Sequence, residues 1–252
     1  MQPAVLITGG ARRIGAAIAR AFGQAGWHVV IHHRDSHDEA EALAASLPSA
    51  EALSCDLANA DAALAMIAGL AARLGDWRVL VNNASTFRHD TTAALDPQIF
   101  TEAMAVNAEV PVRMTQAFLA QARSAGGRRV IQITDQKLVN PNADFLSYTM
   151  SKHALAATIP MMAVVQSDPR DRIYGLAPGA SLPSFDQIDA EHEVSGRMNL
   201  LARLTDASEL GEAALFLSHG WLASGETLMV DSGLHLVPST RDVLFMAREK
   251  SA

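Results

Sequence analysis

Short apolar runs alternate with longer stretches of helical period along the whole chain, and no other feature restricts the fold as strongly. The apolar runs lie at about 4–7, 28–31, 52–54, 79–81, 130–133, 173–176 and 227–230. Between the first two, Ile14, Ala17, Ile18, Ala21 and Phe22 recur at the three- and four-residue spacing of one helix face, and Gly26 ends that helix. Further helices are expected at about 38–47, 60–73, 97–123, 146–166 and 207–218, with Pro111 bending or interrupting the long one. Strands that are apolar throughout must be covered on both faces. The repeated strand–helix unit therefore implies an α/β fold, a parallel sheet between two helix layers with right-handed crossovers. No linker, low-complexity tract or internal repeat divides residues 1–252, which read as a single domain.

Composition narrows the partners. The 252 residues are 49% hydrophobic and 19% charged, which marks a globular rather than a disordered chain. A net charge of −7 disfavours nucleic acid, which needs a basic face, but leaves room for local cations that hold a phosphorylated ligand. Cys55 is the only cysteine, so no intrachain disulfide can form and a reducing, cytoplasmic setting is expected. MQPAVLITGG at the start lacks the pattern of a secretory signal, and no run of about 18 apolar residues exists, so no membrane span is expected. No metal-ligand constellation is visible, so no metal is expected.

In a sheet of this kind ligands gather at the carboxyl ends of the strands. The polar motifs Thr8-Gly9, Asp56, Asn82-Asn83 and Asp135 all fall there. TGGARRIG, residues 8–15, follows a strand and opens a helix. Gly9 permits a tight turn, Gly15 lets a pyrophosphate or the helix approach closely, and the helix N-terminus offers free N–H groups. The spacing is not that of the G-x-G-x-x-G fingerprint. Arg12 and Arg13 lie in the turn, and Arg34 follows the second strand. An acid at the end of that strand accepts the ribose hydroxyls of NAD, whereas an Arg suits the extra phosphate of NADP. Asp35 stands 20 residues after Gly15 and could be counted as that acid. The strand register instead puts His33 in the acid's place and Arg34 just after it, with Arg12 able to converge on the same phosphate.

Tyr148 and Lys152 lie one helical turn apart and share a face. An ammonium beside a phenol stabilises phenolate, so Tyr148 is expected to have a lowered pKa and to move a proton near neutral pH.

Taken together, TGGARRIG, CDL at 55–57, NNAS at 82–85, Asn107 in AMAVNAEV, YTMSK at 148–152, PGAS at 178–181 and GETLMVDSG at 225–233 resemble the short-chain dehydrogenase/reductases over about residues 4–236. The resemblance implies a Rossmann-type doubly wound parallel sheet. It makes Tyr148 the proton donor and has Lys152 bind the nicotinamide ribose. Asn107 would hold a relay water, and Asp56 and Leu57 would flank the adenine. Asn83 and Ala84 would line the cofactor cleft with Ile14 and Ser181, and Pro178 and Gly179 the nicotinamide side. A homotetramer is typical of the family.

Most members carry Ser at position 135 and Gly at 85, where this chain has Asp135 and Ser85. With Arg12-Arg13, HHR at 32–34 and NNASTF at 82–87, these departures resemble the pteridine reductase branch. By position, Arg13 and Ser85 would lie near cofactor phosphate and pterin, and Phe87 would stack on the pterin ring. Reducing a dihydropterin adds hydride to a C=N carbon and a proton to a ring nitrogen. A carboxyl can accept from the amino-pyrimidinone edge or, protonated, donate. Asp135 therefore either feeds a proton to Tyr148 or orients the substrate.

The resulting expectation is an NADPH-dependent reductase of pterins, with 7,8-dihydromonapterin foremost and dihydrofolate or dihydrobiopterin as alternatives. The rivals are a carbonyl or 3-oxoacyl reductase of the same family and a non-catalytic NADP-binding regulator. Residues 180–200 are expected to form the substrate-covering loop, with Asp186, Asp189, Glu191 and Glu193 as its solvated face. The tail, about 237–252, suits packing on a neighbouring subunit.

Overall fold

The apolar runs form β1 (Ala4–Ile7), β2 (His28–His33), β3 (Ala50–Ser54), β4 (Trp77–Asn82), β5 (Arg129–Ile133), β6 (Arg172–Pro178) and β7 (Thr227–Val230) in the computed structural model. The structure describes every residue except 167, 185 and 252. Among the described residues these strands make one parallel sheet in the order β3-β2-β1-β4-β5-β6-β7. The order reverses between β1 and β4, and a ligand crevice is expected at that point, outside the carboxyl ends. The fold is thus the Rossmann-type doubly wound α/β sheet.

Alternating strand residues face two separate cores, as the period of two requires. Val5, Ile7, Val29, Ile31, Val79 and Val81 pack with α1 (Arg13–Gln24), α2 (His37–Ser46) and α8 (Ala207–Ser218). Ala4, Leu6, Val30, Leu80 and Val130 pack with α3 (Ala60–Arg73), α5 (Val110–Gln121) and α6 (Leu146–Ala163). No helix among the described residues is long and apolar enough to cross a membrane.

The stretch expected as one helix over 97–123 is three pieces. α4 (Pro97–Met104) passes into a π-helical turn, Ala105–Glu109, before α5. Pro111 explains the break. It has no N–H, so the main-chain carbonyl of Asn107 finds no donor at the α-helical spacing. Two helices were not anticipated from periodicity: α7 (Asp189–Ser195) in the loop after β6, and α9 (Val243–Ser251) in the tail. Residues 185 and 252, at which the expected loop and tail are incomplete, lie outside the described residues.

Candidate active site

The turn between β1 and α1 is built for close approach. Gly9 has φ +60°, and a Cβ on Gly15 would run into the Gly9 carbonyl and stand 2.7 Å from Asn83 Nδ2. α1 starts with neither a capping side chain nor an acid in its first turn, so its first N–H groups are available to an anion. Thr8 Oγ1 accepts from the N–H groups of Asn83 and Ala84 at 2.9 and 3.0 Å, and Asn83 Nδ2 donates to the Thr8 and Gly9 carbonyls at 2.8 and 3.1 Å. The ends of β1 and β4 are thereby locked together.

His32 completes this clamp. Its Nδ1 accepts from the Gly9 N–H at 3.1 Å, so its other nitrogen carries the proton and donates to the Cys55 carbonyl at 3.0 Å. Burial lowers the pKa of His32 to about 4 from 6.5. The folded chain therefore refuses a proton that the unfolded chain takes up below about pH 6.5, and stability falls as pH falls from there toward 4. We expect this group alone to remove about 2 kcal/mol between pH 7 and pH 5. Urea unfolding at both pH values checks it. His32→Asn should start lower at pH 7 but lack that part of the acid loss, and an unchanged acid loss would refute the assignment.

Glycine turn and strand ends open on one cavity of about 680 Å³. Gly9, Arg12, Arg13, Ile14 and Gly15 line it at the turn; His33, Arg34, Asp56 and Leu57 line it at β2 and β3. Asn83, Ala84, Ser85 and Phe87 follow β4, Asp135 follows β5, and Tyr148 and Lys152 come from α6. Pro178, Gly179 and Ser181 close the side at β6. Every expected site residue except Asn107 reaches this cavity.

Arg12 and Arg34 share the cavity wall but not a partner. Arg12 lies 3.6 Å from Glu39 and Arg34 lies 2.6 Å from Asp35, all four side chains being half or more exposed. Asp35, the alternative acid, thus neutralises Arg34. His33 is 4% exposed, and its Nδ1 has no partner among the described residues. A glycine cradle, uncapped helix N–H groups, two arginines and an orphaned buried imidazole nitrogen fit a phosphorylated dinucleotide.

The chemical centre is a buried cluster. Tyr148 Oη donates to Asp135 Oδ2 at 2.6 Å, and Asp135 Oδ1 accepts from the Lys137 N–H at 2.8 Å. Phe87 stands edge-on to Tyr148 with ring centroids 4.6 Å apart, while one of its faces is stacked on Phe145 at 4.1 Å. Lys152 Nζ donates to the Ile133 carbonyl at 2.7 Å and lies 5.7 Å from the Tyr148 ring centroid. Its pKa is lowered to about 8 by burial. The expected lowering of the Tyr148 pKa is reversed: burial, then the adjoining Asp135 carboxylate, hold the phenol well above its ordinary value. Burial also raises Asp135, with Tyr148 and Lys137 opposing. Tyr148 and Asp135 thus form a coupled pair in which each proton is held more tightly than in water.

Asn107 is fully buried, with both side-chain N–H groups taken by the Thr86 carbonyl at 2.9 Å and Ser151 Oγ at 3.0 Å, and its Oδ1 accepting from the Thr86 N–H at 2.8 Å. A relay water would have to use the main-chain carbonyl that Pro111 leaves without an α-helical donor. The start of α6 is held by Asp90, a residue the sequence did not single out. Its two oxygens accept from Ser147 N at 2.9 Å and Ser147 Oγ at 2.5 Å. This long-range cap offsets the left-handed Phe145, at φ 56°.

The loop and tail make ties that the sequence did not suggest. Arg13 takes φ 55° and its guanidinium donates to the Pro183 carbonyl at 2.6 Å, tying the glycine turn to the loop. Asp186, Asp189 and Glu193 are exposed as expected, but the Glu191 side chain is only 16% accessible, and Arg248 of α9 pairs with Asp186 at 2.7 Å and with Glu191 at 2.9 Å. The tail also packs within its own chain. Leu244 and Ala247 are buried within the chain, and Asp242, Val243 and Leu244 line the cavity. Asp144, Asp186 and Glu191 give the tail's arginines partners in the same subunit.

A family model described as enoyl-(acyl carrier protein) reductase matches residues 9–235. An uncharacterized oxidoreductase of Mycobacterium tuberculosis is 31% identical over 240 residues, covering 91% of this chain and 90% of its own. Pteridine reductase 1 of Leishmania tarentolae is 26% identical over 279 residues, covering 93% and 96%. Among solved structures, a FolM alternative dihydrofolate reductase 1 from Brucella canis, complexed with NADP, superposes with a TM-score of 0.88 at 33% identity, over 96% of each chain.

Proposed function

The chain belongs to the short-chain dehydrogenase/reductase family, and on that premise we propose that it is an NADPH-dependent reductase of dihydropterins, with 7,8-dihydromonapterin foremost. One observation carries the substrate reading: a carboxyl, Asp135, in hydrogen bond with the Tyr148 hydroxyl at 2.6 Å inside the cavity. A pterin presents ring nitrogens and an amino group that a carboxyl can meet, whereas a carboxylate opposes the oxyanion that develops on a ketone. The pteridine reductase and the FolM protein among the relatives support the same reading.

Bound NADPH would supply the hydride. The phosphates would lie against the Gly9–Gly15 turn and the start of α1, and the 2′-phosphate near Arg34, Arg12 and His33. Lys152 would hold the nicotinamide ribose, beside Pro178 and Gly179. Phe87 would lie against the pterin ring, with Ser85 and Arg13 at the pterin edge. Tyr148 would give its proton to the ring nitrogen and be resupplied through Asp135. A homotetramer belongs to the same proposal, and the exposed Met161, Val164 and Val165 at and just past the end of α6 suit a contact between copies.

Steady-state assays with NADPH test the reading: turnover of dihydropterins is expected, and turnover of 3-oxoacyl thioesters with none of dihydropterins would hand the site to the ketone-reducing rival. Cofactor choice has a separate check. Arg34→Ala should weaken NADPH binding about tenfold, by loss of a charge-assisted contact, and leave NADH nearly unchanged. Equal losses in a fluorescence titration would remove Arg34 from phosphate recognition.

A further inference from the structure

The strand ends do not complete the chemical centre; the C-terminal segment does. Asp242 Oδ2 lies 3.1 Å from Lys137 Nζ, which also donates to the Asp144 carbonyl at 2.7 Å. Lys137 is 4% exposed, and its own N–H meets Asp135. Lys137 thus meets the tail with its side chain and Asp135 with its main-chain N–H, and Asp135 in turn meets the Tyr148 hydroxyl. Asp242 has little freedom to leave Lys137. Its Oδ1 accepts from the Leu244 N–H at 3.1 Å, and its own N–H donates to Asp144 Oδ2 at 2.8 Å, where Arg241 Nε also binds at 2.9 Å.

We propose that Asp242 is a positioning residue of the active site: by pairing with Lys137 it fixes how much positive charge Asp135 experiences, and so sets the proton affinity of the Asp135–Tyr148 pair. The charges that face this pair are few. Lys152 and Tyr148 reach Asp135 from α6, and Lys137 reaches it from the turn after β5. Asp135 and Asp242 face Tyr148. Asp144, with Arg241 upon it, stands behind Lys137. With Asp242 in place the Lys137 charge is matched. Without it, one unmatched positive charge remains beside Asp135, and a negative one near Tyr148 is lost. Both changes favour deprotonation.

The signs make the proposal testable without any substrate. The titration midpoint of Asp135 can be followed by NMR of the ¹³C-aspartate-labelled full chain, with Asp135→Asn identifying the resonance. Asp242→Asn should lower the midpoint by on the order of one pH unit. Lys137→Met should raise it, because Asp242 is then left unmatched, and the double variant should return near the parent value. A purely structural salt bridge predicts reduced stability in each variant and no such opposed shifts. An unmoved midpoint, or one moving the same way in both single variants, overturns the proposal. If Lys137→Met does not fold, Asp242→Asn alone decides. The role in turnover rests on the reductase reading, but the titration does not. Shifted midpoints in a chain that turns over no pterin would sink that reading alone, and unmoved midpoints in an active pterin reductase would sink the Asp242 proposal alone.

Discussion

Tyr148→Phe should lower kcat on dihydropterin by about a thousandfold, the usual scale for losing a positioned proton donor, while NADPH binding stays near the parent value. The separation follows from the packing. The Phe ring keeps its edge contact with Phe87, and Lys152 keeps its own bond to the Ile133 carbonyl, so the cofactor cleft survives. Only the hydroxyl that joins Asp135 to the substrate disappears. Asp135→Asn should cost less, about a hundredfold, because Tyr148 still holds one proton but cannot be resupplied by a carboxyl. The pH profile distinguishes the two roles open to Asp135. If it supplies the proton, turnover falls as pH rises through its raised pKa, and that limb vanishes in Asp135→Asn. An Asp135→Asn enzyme with the parent profile would leave Asp135 orienting substrate only. A Tyr148→Phe enzyme with parent turnover would remove Tyr148 from the chemistry.

What could be read from sequence tracks how local the physics is. Strand ends are legible because a buried parallel strand is an apolar run, and the residue after it must face the crevice. That is why Gly9, Asp56, Asn83 and Asp135 reach one cavity. The four-residue spacing of Tyr148 and Lys152 is equally local. Its electrostatic consequence is not: the sign of the Tyr148 shift depends on burial and on a carboxylate thirteen residues away in sequence. His32 looks like an ordinary strand residue until Cys55, just after β3, and the glycine turn supply its two partners. Asp90 caps a helix 57 residues on. Lys137 and Asp242 are 105 residues apart, and nothing in either neighbourhood announces the pair. The tail's helix has a weak apolar stripe and is held by the ion pairs of Arg248 to Asp186 and Glu191, so periodicity alone passes over it.

The glycine turn offers the second large effect. Gly15→Ala should lower stability by about 2–3 kcal/mol and weaken NADPH binding by more than tenfold, as read by thermal unfolding and fluorescence titration. An added methyl has no soft neighbour to displace. It meets the Gly9 carbonyl, the Gly10 Cα at 2.9 Å and Asn83 Nδ2 at 2.7 Å, two of them backbone and the third already bonded to Thr8 and Gly9. Relief requires opening the turn, which separates β1 from β4 and misaligns the first N–H groups of α1 in the same movement. Stability and affinity should therefore fall together. Gly69 is the control. It lies inside α3, and a Cβ there meets nothing within 4 Å, so Gly69→Ala should stabilise by about 0.5–1 kcal/mol and leave binding untouched. A Gly15→Ala chain that melts with the parent and binds NADPH as tightly would mean that the turn is a passive connection, and the phosphate cradle would have to be sought elsewhere in the cavity.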